Sequence, residues 1–210
     1  MAVNGYLVID MKQEANKGGR PRSFDRDGAI ATAMHLFWRH GYEGVSLAML
    51  TEAIGIAPPS LYAAFGSKTG LYREALDRYS TMTEFTLSPS DDEALTFDEA
   101  LSHLFDQAIE RVTGEQGERG CMVSIGMLFC HPDHVQLCDE LATRRHDMAE
   151  RLENDLRHWL PPARCCEAAR FLCAVLQGIA VQAKDGATAR DLRATANIGR
   201  AAVTAMVAGY

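Results

Sequence analysis

Apolar residues begin to recur at helical spacing near residue 25. Ile30, Met34 and Phe37 lie three or four positions apart, so they would share one face of an amphipathic helix. Gly41 follows this pattern, at a place where glycine commonly ends a helix. The sequence therefore predicts a first helix from Asp25 to about Gly41, preceded by an arm over residues 1–24 without a sustained hydrophobic period.

Three short helices are predicted after the first. Ser46 is placed to cap a second helix over 47–54, which Gly55 ends. Two adjacent prolines, which the first turn of a helix tolerates, open a third helix that continues through Ala64. Ser67 then caps a fourth helix that extends to about residue 84. Four helices thus follow one another with only brief turns between them.

The rest of the chain also has helical periodicity. A linker is expected at 88–92 from its serine, proline and aspartate content, and Thr96 with Glu99 has the pattern of a capping box. We found no strand-like alternation and no long internal repeat, so the predicted fold class is all-α. The further predicted helices span about 97–113, 121–130, 133–159, 163–184 and 189–207.

Composition narrows the class of protein. With 47% hydrophobic and 23% charged residues, the 210-residue chain matches a soluble globular protein and neither a disordered nor a fibrous one. No run approaches the roughly 18 consecutive apolar residues of a membrane span, and the N-terminus does not match a secretory signal. We therefore expect a cytoplasmic protein with no membrane partner, whose six cysteines are free thiols.

Charge is unevenly distributed along the chain. The net charge of −7 by itself argues against nucleic-acid binding, because an acidic surface repels phosphate. Residues 11–80, however, carry nine Lys or Arg against seven Asp or Glu, a net +2, whereas residues 81–210 carry twelve against twenty, a net −8. This asymmetry predicts that the two segments have separate functions.

The second and third helices have the layout of a helix-turn-helix, whose second helix enters the major groove of DNA. An ordinary helical hairpin within a bundle has the same layout. Side-chain chemistry favours the DNA interpretation, because Pro59, Ser60 and Ala63 are small groups that let a helix approach base edges. Tyr62 offers a hydroxyl and Lys68 an ammonium to phosphate oxygens.

Residues 46–76 resemble the DNA-binding domain of TetR/AcrR-type transcriptional regulators. The family pattern Leu-Tyr-x-x-Phe-x-x-Lys is present as Leu61, Tyr62, Phe65 and Lys68. The resemblance implies a helix-turn-helix domain over 25–84 and an effector-binding and dimerisation domain over 85–210. Thr51 departs from the small alanine that is common at its position, and Ala64 from a frequent histidine.

The resemblance also implies a mechanism and a set of contacts. A homodimeric repressor, not an enzyme, would bind double-stranded DNA at a palindromic operator and be released by a small-molecule effector, with no cofactor. Arg20 and Arg22 of the arm either reach the duplex or form a solvated basic tail. The residues expected to contact DNA are Ser46, Pro59, Ser60, Tyr62, Ala63, Ser67 and Lys68.

An effector pocket would be lined by the inner faces of the central helices, and the side chains that line it would suit a small apolar or aromatic molecule. Each candidate side chain also fits an ordinary core position. The last two helices, rich in small residues, would pack against their copies in a dimer. The candidate effector or sensor residues are Phe105, Cys121, Ile125, Met148, Phe171 and Gln177.

Cysteine chemistry provides the alternatives. Cys121 follows Arg119 and would begin a predicted helix, so a cation and the helix dipole would stabilise its thiolate and make it a redox or electrophile sensor. A thiol enzyme using Cys121 with a histidine lacks every other expected motif. Cys130, His134 and Cys138 would share one helical face suited to a metal, but Pro132 interrupts that helix, so no metal site is expected.

Overall fold

The structure is a computed structural model that describes residues 24–83, 87, 95–114 and 118–208. These residues form helices and turns and contain no strand, which confirms the all-α prediction. The arm with Arg20 and Arg22, and the predicted linker at 88–92, lie outside the described residues. The helices are α1 (Arg26–Gly44), α2 (Leu47–Ile54), α3 (Pro58–Phe65), α4 (Lys68–Thr83), α5 (Phe97–Val112), α6 (Val135–Leu156), α7 (Pro162–Lys184) and α8 (Ala189–Ala208), with a 3₁₀ turn at Pro132–His134.

Side-chain caps begin several of these helices where the sequence places them. Thr96 and Glu99 form the predicted capping box at the start of α5, each binding the other's backbone N–H. Thr188 and Asp191 repeat this reciprocal arrangement before α8. At Gly41 the backbone of α1 adopts a φ of +70°, so the regular helix is interrupted there and one more turn follows to Gly44.

The N-terminal helices α1–α4 pack around an aromatic centre. The ring of Phe37 meets that of Tyr72 edge-on at 4.8 Å, and Trp38 meets Tyr79 in the same way at 5.0 Å. Such edge-to-face pairs add to the free energy of burying the rings. The same core continues into the second half of the chain through Met122, Met127, Leu137 and Leu141.

The C-terminal helices α5–α8 form a second core with α7 at its centre, packed against α5, α6 and α8. By length and composition α7 could cross a membrane, although no run of consecutive apolar residues predicted this. Its inner face, which includes Leu172, Leu176 and Ile179, is buried against the neighbouring helices. This packing accounts for the apolar composition of α7.

Two predictions for the segment between α5 and α6 are wrong. Residues 121–130 form a chain of turns instead of a helix, with Met127 at a φ of +50°. Ser124 and Gly126 have weak helix propensity, and Pro132 prevents the run from continuing into α6, so packing decides the conformation. The six cysteines are not all free, because Cys130 and Cys138 form a disulfide between this segment and the first turn of α6.

Candidate nucleic-acid interface

A tight turn joins α2 to α3. Gly55 ends α2 in the left-handed conformation, with φ +77° and ψ +34°, and its N–H donates to the carbonyl of Thr51 at 3.0 Å. The Thr51 hydroxyl, which replaces the family's small side chain, donates back to the carbonyl of Leu47 at 3.0 Å and is thereby satisfied inside the helix. Leu50 and Leu61 are fully buried beneath the turn, so the two helices are held in a fixed relation.

The outer face of α3 carries the residues predicted to lie against bases. Pro59, Ser60 and Ala63 are exposed, and Tyr62 is 48% exposed, whereas Leu61 and Phe65 face the core. The two prolines lack an N–H, and the N–H of Ser60 donates to the Ala57 carbonyl at 2.9 Å. The start of α3 therefore offers side chains to a ligand and few backbone donors.

Backbone donors are instead available at the starts of α2 and α4. The Ser46 hydroxyl accepts from the N–H of Met49 at 3.1 Å, and the Ser67 hydroxyl accepts from the N–H of Gly70 at 2.9 Å. Each serine is thus a cap, and its own hydroxyl hydrogen remains for another acceptor. The earlier N–H groups of each helix have no intrahelical partner, which makes both ends suitable for phosphate oxygens.

Lys68 is held in place by an aromatic ring. Its Nζ lies 4.1 Å from the centroid of the Tyr42 ring, and the Tyr42 hydroxyl shares a 2.8 Å hydrogen bond with Thr69. Partial burial lowers the pKa of Lys68, and the nearby carboxylate of Glu43 partly offsets this. The cation is therefore positioned before any phosphate binds, and the contribution of Tyr42 was not predicted from the sequence.

Most other cations of α1–α4 are already paired. Arg26 binds Glu74 at 2.7 Å, Arg39 binds Glu118 at 2.9 Å and Arg73 binds Glu140 at 2.6 Å. Among the described lysines and arginines of these helices, Lys68 and Arg78 are the two without an ion pair. Few charges are thus left for phosphates, so shape and hydrogen bonding must carry much of any DNA affinity.

Known proteins resemble this chain at both the sequence and the structural level. The family model described as "Bacterial regulatory proteins, tetR family" matches residues 29–75. The HTH-type transcriptional repressor ComR of Escherichia coli (strain K12) is 35% identical over 197 residues, covering 89% of this chain and 92% of its own. BdcR of the same organism, also an HTH-type transcriptional repressor, is 32% identical over 91% of this chain and 95% of its own.

A solved structure extends the likeness to the whole fold. The TetR family transcriptional regulator CifR, solved as a cysteine mutant complexed with 26bp double-strand operator DNA, is 38% identical with a TM-score of 0.78. The match covers 87% of this chain and 99% of that one. This chain belongs to the tetR family. It is accordingly a DNA-binding transcriptional regulator of the repressor type and not an enzyme.

The TetR-family regulator has a cavity of about 250 Å³ where α4 meets the C-terminal helices. Two of the predicted effector residues, Cys121 and Met148, line it. Phe105 is buried in the C-terminal core, Ile125 packs against that core and Phe171 is 42% exposed. Gln177 is half-buried and lies outside the cavity lining.

Polar contacts join α1 of the regulator to α7 and to the segment between α5 and α6, and we call this group the joint: Trp38, Arg39, Glu118, Gly120 and Lys184. The indole N–H of Trp38 donates to the Gly120 carbonyl at 2.8 Å, and Lys184 donates to the Trp38 and Arg39 carbonyls at 3.1 and 2.9 Å. Nothing in the sequence predicted this joint, because its members lie far apart along the chain.

The joint is centred on a buried carboxylate. Glu118 is 4% exposed and accepts from the Arg39 guanidinium at 2.9 Å. Nδ1 of His35 lies 3.3 Å from the same carboxylate without forming a hydrogen bond. Arg39 therefore supplies the hydrogen bond that a buried carboxylate requires.

Proposed function

We propose that the chain acts as a homodimeric repressor that binds a palindromic operator and is released when a small molecule occupies the cavity. In this proposal residues 25–84 are the DNA-binding domain, residues 85–210 bind effector and partner, and residues 1–24 form an arm. The observation that carries the proposal is the outer face of α3, where exposed small residues lie beside Tyr62, Lys68 and a capped helix start.

The proposed DNA contacts divide into two kinds. Pro59, Ser60 and Ala63 lie against base edges, where small groups allow the helix into the major groove. Tyr62, Lys68 and the caps Ser46 and Ser67 bind phosphates. CifR, at 38% identity, is solved in complex with operator DNA, which supports the binding of double-stranded DNA in this proposal.

The proposed dimer uses the outer faces of α7 and α8. Phe171 is 42% exposed, Val181 44% and Ile198 73%, so these helices leave three large apolar side chains uncovered in the single chain. Pairing two copies across these helices gives a four-helix interface and the two-fold symmetry that a palindromic operator requires. Ile198→Asp should therefore produce monomers in analytical ultracentrifugation and lower operator affinity, whereas Arg190→Gln on the same helix should leave the dimer intact.

The coupling between effector and DNA runs through α4. This helix begins at Lys68 on the DNA side, and Tyr79, Ser80 and Thr83 near its other end line the cavity. A ligand that favours one position of α4 changes the separation of the two recognition helices in the dimer. A coupling of about 1–3 kcal/mol is enough for useful switching.

The experiment is selection of bound duplexes from a random DNA library, followed by affinity measurements on the selected motif. Lys68→Ala should weaken binding to any sequence and reduce the salt slope by about one for each half-site. Arg78→Ala removes an unpaired cation from the same helix about three turns away, and it should have little effect. Unchanged binding by Lys68→Ala and Tyr62→Phe would refute the phosphate assignments.

A second candidate function is release by thiol modification at Cys121. The observation that favours it is the free Cys121 thiol on the cavity wall. One premise from the sequence does not hold, since no helix begins at Cys121. The Arg119 guanidinium donates to the Ala183 carbonyl at 2.7 Å. Peroxide would oxidise this thiol to a sulfenic acid with release of water. Operator release by peroxide that Cys121→Ser abolishes would support this candidate.

A further inference from the structure

The cavity has walls of two chemical kinds. Its buried side chains are mostly apolar and include Met148, Leu152 and Leu176. Its more exposed side chains are charged, and cations outnumber anions, with three arginines and one aspartate in the lining. The lining charges are Arg111, Arg144, Arg151 and Asp147.

The three arginines differ in the hydrogen bonds and ion pairs that they already form within the protein. The Arg111 guanidinium donates to the Thr83 carbonyl at 3.0 Å. Arg144 forms an ion pair with Asp77 and donates to the Ser80 hydroxyl at 3.3 Å, so it links α6 to α4. Arg151 makes no hydrogen bond or ion pair with any residue that the structure describes, although it lies two turns from Arg144 on α6.

We propose that the effector is a small amphipathic anion, a carboxylate on an apolar body, whose carboxylate binds Arg151 and Arg144 and whose body lies against Met148, Leu152 and Leu176. This inference rests on the proposed function, because it assigns a ligand class to the same cavity. Arginine is suited to the task, since its planar guanidinium binds a carboxylate through two parallel N–H bonds.

Other ligand classes fit the cavity less well. A cation would meet three guanidinium groups against one carboxylate. A neutral molecule would form no ion pair with Arg151, whose exposed guanidinium has none with any residue that the structure describes. Burial, with smaller contributions from the Cys121 thiol, raises the pKa of Tyr79 well above its usual value, so this residue stays a neutral hydroxyl and adds no negative charge. The cavity volume of about 250 Å³ selects a ligand smaller than a typical drug.

The position of Arg144 connects binding of the anion to release of the DNA. In the structure its guanidinium is paired with Asp77 of α4. A bound carboxylate competes with Asp77 for this guanidinium, and α4 then loses one of its ion pairs to α6. The remaining pair, between Arg73 and Glu140, lies closer to the DNA-binding end of α4.

Calorimetry on the DNA-free protein tests the ligand class directly. The probes are hexanoate, octanoate and benzoate, each beside the neutral amide of the same skeleton. We expect at least one carboxylate to bind saturably and at least tenfold more tightly than its amide. Arg151→Gln should weaken that carboxylate at least fivefold and leave the amide unchanged. Arg190→Gln removes an exposed cation outside the cavity and should change neither.

The outcomes separate this inference from the proposed function. Equal binding of carboxylate and amide, or no saturable binding by any probe, overturns the ligand class even if the operator is bound normally. Loss of operator binding without ligand is a failure of the proposed function and is measured independently by anisotropy on the selected duplex. Carboxylate binding that Arg151→Gln does not weaken overturns the assignment of the anion to this arginine.

Discussion

The proposed DNA-binding surface of α2 and α3 differs in its chemistry from the joint between the two groups of helices. The surface is formed by small side chains that are mostly uncharged. The hydroxyls of Ser46 and Thr51 form hydrogen bonds with the backbone of α2. The joint is charged. Its carboxylate, Glu118, is buried, whereas Arg39 and Lys184 are exposed, and these side chains form hydrogen bonds across about 80 or more positions of sequence.

We expect this difference to give the two regions different parts in the proposed function. A surface with few charges depends on its shape, and its shape depends on the core beneath it. The joint depends on the contact between Glu118 and Arg39, because separating a buried carboxylate from its donor is costly. Mutations in the two regions should therefore have different effects on stability, operator affinity and release by effector.

The largest effect is expected from removing the support of the recognition surface. Leu61 is fully buried on the inner face of α3. Leu61→Ala should lower the free energy of unfolding by about 2–5 kcal/mol, the loss seen when a buried leucine is truncated and a cavity remains. Operator affinity should fall with it. Urea denaturation followed by circular dichroism measures the first quantity and anisotropy the second.

The neighbouring exposed residue provides the control. Ala63→Ser changes a solvent-facing position of the same helix and should alter stability by less than about 0.5 kcal/mol. If it also changes operator affinity, the surface reads bases through this side chain. If Leu61→Ala keeps full stability, α3 does not depend on the core in the way described.

A smaller effect is expected at the joint. Glu118→Ala should lower the free energy of unfolding by about 1–3 kcal/mol, because it removes a charged hydrogen bond that is buried on the carboxylate side. Arg39 is half-exposed and can be resolvated, which keeps the loss below that of a fully buried pair. Thermal or urea unfolding measures this change.

Variants of the joint and of the recognition surface should also differ in their effects on operator affinity and on release by effector. Glu118→Ala should leave operator affinity without effector close to that of the original protein and should alter its release by effector. Glu118→Gln keeps one carbonyl acceptor for Arg39 and should retain most of the stability. A large loss of effector-free DNA binding in Glu118→Ala would show that the joint also supports recognition.

The recognition surface was largely predictable because its residues are contiguous. Capping residues, glycine stops and two prolines delimit helices within one stretch of about twenty residues, so local rules apply. Ser46, Gly55 and Ser67 have the roles that the spacing predicts. Tyr42 was missed, because only the fold brings its ring beneath Lys68.

The joint and the cavity were not predictable from the sequence for the same physical reason. Their side chains come from α1, α4, α5, α6, α7 and the turns between α5 and α6, and no local pattern connects them. The predicted helix at 121–130 is wrong, because the helix propensity of this segment is weak and packing determines its conformation. Cys121 and Met148, two of the predicted effector residues, line the cavity, and its other lining residues were not predicted.

The smallest effect on stability is expected at Ser46, which also has a second proposed role. As the cap of α2 it accepts from the Met49 N–H, and Ser46→Ala should cost about 1 kcal/mol of unfolding free energy. Alanine cannot separate capping from phosphate binding, because it removes both. Aspartate can, since it caps a helix as well as serine does but places a negative charge at the proposed phosphate site.

Ser46→Asp should therefore retain the stability of the original protein and lose operator affinity, most strongly at low salt, where repulsion between carboxylate and phosphate is least screened. Urea denaturation and anisotropy at two salt concentrations measure the two quantities on the same sample. If affinity falls in Ser46→Ala and is retained in Ser46→Asp, the cap alone explains the effect. If affinity is unchanged in Ser46→Asp, the start of α2 does not meet the DNA backbone, and the phosphate contacts are confined to α3 and α4.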